Sequence, residues 1–348
     1  PLPLRDHPRI TTGHGGGGQM TADLIEHLFL PAFGSAARPD GLDAAVLDAP
    51  ELATGGRLAF TTDGYVVHPI EFPGGTIGDL AVNGTVNDLA MVGARPLALA
   101  VAFVCEEGLE LATLARVAEH LGAAARGAGV GIVTGDTKVT DGRGDVARGG
   151  GLTITTTGLG VVPAGVDVHP ARMQPDDAIV LTGPIGRHGM AILSLREGLE
   201  FATRLQSDTA ALHEAVGGLL AAGIDVRALR DLTRGGLATG LVELATTGDR
   251  GIEIDEAAVP VPDDVQAAAG LFGLDPLVVA NEGVCVAVVP ADQVDAAVAA
   301  LRRHPPTAGA VVIGRVTDGH PGLVVQRTRL GARRVLDRPL GEQLPRIC

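Results

Sequence analysis

The sequence lacks tryptophan and contains only one tyrosine and seven phenylalanines. Aromatic side chains therefore cannot dominate its core, and alanine, valine, leucine and isoleucine must fill it. Hydrophobic residues make up 46% of the 348 residues and charged residues 20%, which is typical of a globular chain rather than a disordered one. This length allows two domains or one large one.

Cysteine is also scarce. Cys105, Cys285 and Cys348 are widely separated, which argues against a disulfide framework and against a zinc site. A reducing cytoplasm is therefore the expected location. Cys105 and Cys285 fall in apolar strands and are expected to be small buried hydrophobic residues rather than ligands.

Long apolar runs and an excess of basic residues are missing too. No run of about 18 apolar residues is present, so we expect no membrane-spanning helix. No basic region followed by an apolar one opens the sequence, so we expect no signal peptide. The net charge of −14 argues against nucleic acid as a partner.

Glycine, in contrast, is abundant, with 50 residues. Five of the six residues from Gly13 to Gly18 are glycine, and such a backbone can wrap an anion with its N–H groups. A helical pattern follows from Gln19 to Phe33, so the loop could present an anion to a helix start. The stretch is neither GxxxxGK[ST] nor a clear GxGxxG, and a flexible linker is the alternative.

Carboxylates recur next to predicted strands and helices. Asp63 follows the predicted strand at Arg57–Thr62, and Asp136 follows the one at Val130–Val133. A helix is predicted from Ile77 to Val92, and the pair Asn87-Asp88 within it is poorly suited to a purely structural helix. The alternation of strands and helices predicts an α/β or α+β fold.

These acidic signatures, together with Asp231 in the second half, fit a nucleotide site in which carboxylates hold Mg²⁺ against phosphates. Each signature alone is weak, because acidic residues are common at turns and on the solvated faces of helices.

The sequence ends in Pro345-Arg346-Ile347-Cys348. The eight residues from Gly341 to Cys348 reach roughly 26 Å when extended, enough to carry a thiol from one domain face into a neighbouring cleft. An incidental cysteine in a disordered terminus is the alternative.

The motifs fall in one order along nearly the whole chain: Gly13–Gly18, Thr62–Val67, Phe72–Gly75, Gly84–Ala90, Gly135–Val139, Asp231–Gly236, Asn281–Gly283 and Pro345–Cys348. With these motifs in this order, the chain resembles the ATP-dependent carbamoyl dehydratases of hydrogenase maturation, which are called the HypE family. That family belongs to a superfamily with aminoimidazole ribonucleotide synthetase, selenophosphate synthetase and thiamin-monophosphate kinase. The Pro-Arg-Ile-Cys terminus is the feature that singles out the HypE family.

The resemblance implies a two-domain fold like that of aminoimidazole ribonucleotide synthetase. Residues 1–168 would form an ATP-binding and dimerisation domain, 169–338 an α/β domain, and 339–348 a flexible tail. The amino-terminal domains of a homodimer would pair into a shared β-barrel. Nucleotides would lie in clefts between that barrel and the carboxy-terminal domains.

The resemblance also implies a reaction and its partners. A carbamoyltransferase would load a carbamoyl group on Cys348, and ATP would drive its dehydration to an S-cyanate. The cyanide would pass to iron through assembly proteins of the HypC and HypD type in [NiFe]-hydrogenase maturation.

Site roles follow from the same resemblance, with Cys348, Lys138 and Glu282 as catalytic residues. Lys138 and Glu282 would remove protons from the carbamoyl nitrogen, and a lysine base must have its pKa lowered by burial or a nearby cation. A phosphate-binding role is the alternative for Lys138, and a metal ligand or helix cap for Glu282. Nucleotide binding is assigned to His14, Gly15, Gly16, Gly17, Asp63, Asn87, Asp88, Asp136, Thr137, Asp231 and Arg234. Of these, Mg²⁺ is assigned to Asp63, Asp88, Asp136 and Asp231, and His14 could instead be a solvated loop histidine.

Two other functions stay open at this point. Another synthetase or small-molecule kinase of the superfamily would use the same aspartates but would not need Cys348. A non-catalytic assembly scaffold would dock through its tail and would show no ATP turnover.

Overall fold

The computed structural model of the protein describes residues 8–16, 19–34, 47–141, 151–198 and 205–338. Within these ranges the chain forms two larger sheets and a two-stranded hairpin, with helices packed on the larger sheets. This mixed α/β architecture confirms the fold class predicted from the sequence. None of the helices in the described ranges combines the length and the apolar character needed to cross a bilayer.

The amino-terminal part is a sheet with helices on one face. Its strands are β1 (Arg57–Tyr65), β2 (Glu71–Phe72), β3 (Gly75–Thr76), β4 (Arg95–Glu106), β5 (Gly131–Thr140) and β6 (Leu152–Val162). Its helices are α1 (Gln19–Leu24), α2 (Leu30–Phe33), α3 (Ile77–Met91) and α4 (Leu111–Gly127), and a π-helical turn (Ile25–Phe29) joins the first two. Four strands form a sheet in the order β1-β6-β4-β5, in which only β4 and β5 are parallel.

Helix α3 begins where its sequence provides a cap. The Thr76 side chain accepts a hydrogen bond from Gly78 N, and Asp79 accepts one from Thr76 N at 2.7 Å, which together form a capping box. Almost all of α3 is buried. A Cβ on Gly78 would lie 2.5 Å from the Val117 carbonyl oxygen, so glycine permits the close contact between α3 and α4.

The two faces of the four-stranded sheet differ in exposure. The face that packs on α3 buries Val101 and Thr156, which are 2% and 0% exposed. The opposite face leaves Leu58 and Phe60 exposed, at 56% and 73%. We refer to these as the covered face and the open face of the sheet.

The carboxy-terminal part is built on a second, larger sheet. Its strands are β7 (Ala178–Leu181), β8 (Ala228–Asp231), β9 (Gly251–Asp255), β10 (Cys285–Val289), β11 (Val311–Thr317), β12 (Val324–Arg327) and β13 (Arg333–Leu336). Its helices are α5 (Arg187–Arg196), α6 (His213–Ala221), α7 (Gly236–Gly248), α8 (Asp263–Phe272) and α9 (Val294–Leu301). The strand order is β13-β12-β9-β11-β7-β10-β8, and β8 is therefore an edge strand.

The two parts share apolar packing. Met190 of α5 and Val265 of α8 belong to the same buried cluster as Leu80 of α3 and Leu114 of α4. A cleft lies between the two parts, and tightly packed elements form both of its sides. This packing fixes the positions of the polar residues that line the cleft.

The structure confirms most of the predicted elements and changes two of them. The strands predicted to stop before Asp63 and before Asp136 instead continue through these residues, as β1 and β5. Both aspartates therefore lie within strands rather than at strand ends. Helix α8 and strands β8 and β13 were not predicted.

Candidate functional site

The structure separates the predicted site residues into two groups. The edge group lies on and beside β5 and consists of His14, Gly15, Gly16, Asp136, Thr137 and Lys138. The cleft group lies where α3 and β1 meet the carboxy-terminal part and consists of Asp63, Asn87, Asp88, Asp231, Arg234 and Glu282. Gly17 and Cys348 lie outside the described residues.

Strand register explains the separation. Asp63 shares a cross-strand row with Thr156 and Val101, which belong to the covered face. Asp136 falls in the next row, level with Ala102, and therefore points to the open face. β1 and β5 are also the two edges of the sheet, about 14 Å apart at roughly 4.8 Å per strand. Asp136 and Asp63 of one chain therefore do not share one site.

Lys138 and Asp136 form an ion pair on the open face. Lys138 Nζ lies 2.9 Å from an Asp136 carboxylate oxygen, and the Thr137 N–H donates to Asp136 Oδ1 at 2.8 Å. The Lys138 contact, followed by the Thr137 N–H, lowers the pKa of Asp136. An exposed ion pair of this kind is worth little to stability, so it leaves both groups available to a ligand.

Lys138 is the only lysine in the sequence. Its side chain is 62% exposed and forms its ion pair with the carboxylate of Asp136, not next to another cation. The burial or nearby cation expected of a lysine base is thus not provided by the described residues of this chain.

The glycine loop packs directly against β5. A Cβ on Gly15 would lie 2.5 Å from Val139 N, so glycine is required for this contact. His14 is only 2% exposed, and its Nδ1 accepts a hydrogen bond from Thr11 N at 3.1 Å. His14 therefore helps to hold the loop in shape, and its burial excludes the solvated loop histidine considered as an alternative, whereas a role in binding nucleotide stays a prediction.

Three aspartates of the cleft group lie close enough to influence each other. Asp88 on α3 accepts a hydrogen bond from the Thr61 hydroxyl at 2.8 Å. Burial, and next the charge of Asp231, raise the pKa of Asp88 to about 6, and Asp63 adds to this effect. Burial also raises the pKa of Asp231, against the lowering effect of Arg230, whose Nη1 is 3.8 Å from its carboxylate. The cleft thus concentrates negative charge that a bound cation would offset.

Asn87 has a structural role that the sequence did not reveal. Its side-chain amide donates to the Ala210 carbonyl at 3.0 Å and accepts from Leu212 N at 2.8 Å. Both partners lie across the interface between α3 and the segment that leads into α6. Asn87 therefore joins the two parts of the chain, and its neighbour Asp88 faces the cleft.

Glu282 is the most buried carboxyl group of the cleft group, at 3% exposure. Burial first, and then the charges of Asp208, Asp231 and Asp63, raise its pKa well above the ordinary value, whereas Arg234 lowers it. Its Oε1 has no hydrogen-bond partner among the described residues. Such a group is a candidate proton-transfer residue.

A cleft of about 700 Å³ opens between the two parts of the chain beside these carboxylates. Apolar residues including Met91, Val168 and Leu244 form part of its wall. Its polar lining includes Thr61, Asp88, Arg230, Asp231, Glu243 and Arg338. The volume and the mixed lining suit a molecule of nucleotide size.

The carboxylates of the cleft meet part of what Mg²⁺ requires of its ligands. Carboxylate oxygens are the ligands that Mg²⁺ prefers, and Asp63, Asp88 and Asp231 gather such oxygens in one acidic region. Across the described ranges, however, no three His, Cys, Asp or Glu side chains converge closely enough to hold a metal ion by themselves. This arrangement fits a cation held partly by phosphate oxygens and water, as is usual for Mg²⁺ with nucleotides.

Two charged residues of this region were missed from the sequence. Arg230 lies in the cleft and pairs with Glu243 at 2.6 Å, and Asp208 is buried against Glu282. Arg230 directly precedes the Asp231–Gly236 motif, so its position next to that motif was a usable signal. Asp208 sits in an irregular segment before α6, and nothing in the local pattern marked it.

Comparison with known proteins agrees with this arrangement. The family models described as "AIR synthase related protein, N-terminal domain" and "AIR synthase related protein, C-terminal domain" match residues 41–162 and 174–326. A carbamoyl dehydratase HypE of Cupriavidus necator is 52% identical over 340 residues, which cover 98% of this chain and 95% of that protein.

Solved structures give the same result. A structure of the hydrogenase maturation protein HypE in complex with ATP has a TM-score of 0.90 and 44% identity, covering 97% of this chain and 99% of that one. HypE in a HypE-HypF complex has a TM-score of 0.76 and 42% identity, covering 81% of this chain and 90% of that one. With these matches over nearly its whole length, the chain belongs to the HypE family of carbamoyl dehydratases, within the AIR synthase related proteins.

Proposed function

We propose that this chain is an ATP-dependent dehydratase that converts a carbamoyl group on its own Cys348 into an S-cyanate, with ADP and phosphate as the other products. The observation that carries the proposal is that the last described residue of the chain lines an acidic cleft. Arg338, the last described residue, lines the same cleft as Asp88 and Asp231. The sequence then continues for ten residues to Cys348.

Ten residues are long enough to deliver the thiol. A chain of this length spans up to roughly 33–36 Å when extended, which exceeds the width of a cleft of about 700 Å³. A substrate attached to the enzyme's own chain does not have to be captured from solution. The length of the tether sets its effective concentration near the cleft. The segment that carries Cys348 begins beside the acidic cleft. This position favours the dehydratase over a small-molecule kinase or a scaffold, neither of which requires Cys348.

ATP is needed in this reaction because it provides a good leaving group. The carbonyl oxygen of a carbamoyl group is a very poor leaving group, and transfer of a phosphoryl group to it makes phosphate the leaving group. Two protons must leave the nitrogen as the C≡N bond forms, so bases are required near the cleft. We assign Glu282 as one base, because it is buried beside Asp231 with an unpartnered oxygen.

We assign the phosphate end of ATP to the carboxylates of the cleft. Asp63, Asp88 and Asp231 would hold Mg²⁺ there, and Mg²⁺ bound to phosphate oxygens neutralises charge on the group that is transferred. Arg234 would contact phosphate oxygens there, and so would the N–H groups at Gly15 and Gly16 of a second copy of the chain.

We further propose that a second copy of the chain completes each site. Asp136 and Lys138 of the edge group point to the open face, away from the cleft of their own chain. Leu58 and Phe60 are exposed on the same open face. A homodimer that closes two such sheets into a barrel would cover these apolar side chains. It would also place β5 of one copy beside β1 of the other, so that Lys138 acts as the second base or a phosphate contact in the partner's site.

The partners follow from the reaction. A carbamoyltransferase must load Cys348, and the HypE-HypF complex among the similar structures supports such a partner. We propose that HypC- and HypD-type proteins then receive the cyanide, in the cytoplasm. We also retain, as a proposal, the division into domains at 1–168 and 169–338 with a tail at 339–348.

Coupling between ATP hydrolysis and the tail tests this function. The full chain is incubated with ATP, Mg²⁺, carbamoyl phosphate and the carbamoyltransferase, and ADP is measured after correction for the transferase. We expect ADP release that requires carbamoyl phosphate in the native chain and is lost in Cys348→Ala. Equal ADP release from Cys348→Ala would contradict the proposal and would favour a small-molecule kinase.

A further inference from the structure

Thr61 of β1 contacts the cleft carboxylate of Asp88 across the interface between β1 and α3. The Thr61 hydroxyl donates a hydrogen bond to Asp88 Oδ2 at 2.8 Å, and both residues line the cleft. The described residues make no second hydrogen bond to the Asp88 carboxylate, so its other oxygen, Oδ1, is available to a ligand. The Thr61 hydroxyl therefore determines which carboxylate oxygen is held by the protein.

The sheet fixes the direction of the Thr61 hydroxyl. Thr61 is paired with Gly158 of β6. A Cβ on Gly158 would lie 3.2 Å from Thr61 Cγ2 and 2.7 Å from Thr85 Cγ2, so glycine leaves room for both methyl groups. Threonine carries its methyl and hydroxyl groups on one carbon atom, and rotation about its first side-chain bond is restricted. A methyl group held over Gly158 therefore directs the hydroxyl group towards α3.

Like charges surround the Asp88 carboxylate. Asp231 and Asp63 act on it unfavourably, and Arg230 offsets part of this effect. An aspartate on a helix has more than one staggered side-chain conformation, and rotation away from the other carboxylates would relieve the repulsion. A hydrogen bond to a charged group is stronger than one between neutral groups. Thr61 therefore opposes this rotation and keeps the Asp88 carboxylate in the cleft.

We propose that Thr61 is a positioning residue for Asp88: it holds Oδ2 against β1 and thereby presents Oδ1 to the divalent cation that accompanies the nucleotide. This inference rests on the nucleotide and Mg²⁺ site of the proposed function, but not on the dehydration step. Loss of a group that orients a metal-ligating side chain typically lowers metal affinity by about 10–100-fold. Thr61 thus sets the affinity of the site for its cation through Asp88.

A titration with Mg²⁺ tests the proposal without relying on activity. The full chain is held at a fixed saturating concentration of a non-hydrolysable ATP analogue, and its unfolding temperature is followed as Mg²⁺ is added. Thr61→Val keeps the shape of the side chain and removes the hydroxyl group, whereas Thr61→Ser keeps the hydroxyl group. Thr307→Val is the matched control, because the buried Thr307 hydroxyl donates to the Leu301 carbonyl at 2.6 Å in the carboxy-terminal part.

We expect the Mg²⁺ concentration at the midpoint of the titration to rise by about tenfold or more in Thr61→Val. The midpoint of Thr61→Ser should stay within about threefold of the native value, since its hydroxyl group can still donate to Asp88. Thr307→Val should unfold at a lower temperature but keep the native midpoint. If Thr61→Val does not fold, Thr61→Ala replaces it. A native midpoint in Thr61→Val, or a rise in Thr61→Ser as large as that in Thr61→Val, would overturn the proposal.

Calorimetric binding of the analogue separates positioning of Asp88 from a general structural role. In Thr61→Val, the Kd of the analogue should rise about tenfold or more in saturating Mg²⁺ and should not change in EDTA. An equal rise under both conditions would overturn the proposal, because a distorted cleft would weaken binding with or without the cation. A native chain that does not respond to Mg²⁺ and the analogue would contradict the proposed nucleotide site itself. If the native chain binds both but forms no cyanate, the dehydratase function fails and the titration still decides the role of Thr61.

Discussion

Replacement of Asp88 by asparagine should make the protein more stable while abolishing its ATP-dependent activity. Asp88 is a largely buried carboxyl group that faces Asp231 and Asp63, and burial and these charges raise its pKa to about 6. Asparagine has nearly the same shape and can still accept the hydrogen bond from Thr61. The substitution therefore removes a charge with little change in packing.

The magnitude follows from the pKa difference. A shift from 3.8 to about 6 corresponds to a cost of about 3 kcal/mol in the folded state, at about 1.4 kcal/mol per pH unit. Because the folded-state pKa is raised, the cost is fully present above about pH 6 and disappears below the unfolded value near 3.8. Asp88 is not fully buried, so about 3 kcal/mol is an upper value.

Urea denaturation in buffer with EDTA measures this effect. At pH 8 we expect the free energy of unfolding of Asp88→Asn to exceed that of the native chain by about 2–3 kcal/mol, with the difference vanishing near pH 4. Asp79→Asn is the matched control on the same helix. Asparagine can still accept the hydrogen bond from Thr76 N, but it removes the negative charge of Asp79 in the first turn of α3, so this replacement should destabilise the protein by about 0.5–1 kcal/mol at pH 8.

Addition of ATP and Mg²⁺ should then stabilise the native chain and not Asp88→Asn. An Asp88→Asn variant that is less stable than the native chain at pH 8, or equally stabilised by the nucleotide, would refute the account of the cleft carboxylates.

Two further predictions concern the second copy and the connection between the two parts. In a heterodimer of Asp88→Asn with Lys138→Ala, one shared site keeps both native residues, so about half of the native activity should return. The double variant paired with a native chain should be inactive, because each shared site then has one defect. The reverse result, an inactive heterodimer of the single variants and a half-active pair of double variant and native chain, would contradict shared sites. Replacement of Asn87 by alanine should destabilise the chain by about 2–3 kcal/mol in urea denaturation, because it leaves Ala210 O and Leu212 N without their buried partner; an unchanged unfolding midpoint would show that these hydrogen bonds do not hold the two parts together.

Regular elements were largely predictable because their patterns are local. Strand β1 begins at the predicted Arg57, and α3 begins at the predicted Ile77 and ends one residue before the predicted end. Hydrophobic runs and branched residues determine such segments without reference to distant parts of the chain.

The division of the site was not predictable, because it depends on strand register. Asp63 and Asp136 look equivalent in sequence, each at the end of an apolar run and beside a glycine. Whether they face the same side is decided by pairing across four strands, and an offset of one residue reverses the face. Long-range contacts likewise determine the roles of Asn87 and Asp208, whose partners lie more than 70 residues away.

The mass of the carboxy-terminal peptide tests the central claim most directly. After incubation with the carbamoyltransferase and carbamoyl phosphate, we expect the peptide carrying Cys348 to gain about 43 Da, the mass of a carbamoyl group on a thiol. After addition of ATP and Mg²⁺, the gain should fall to about 25 Da, because one water is lost as the cyanate forms. A gain that stays near 43 Da with ATP, or an unmodified Cys348 while ATP is consumed on a small molecule, would contradict the account.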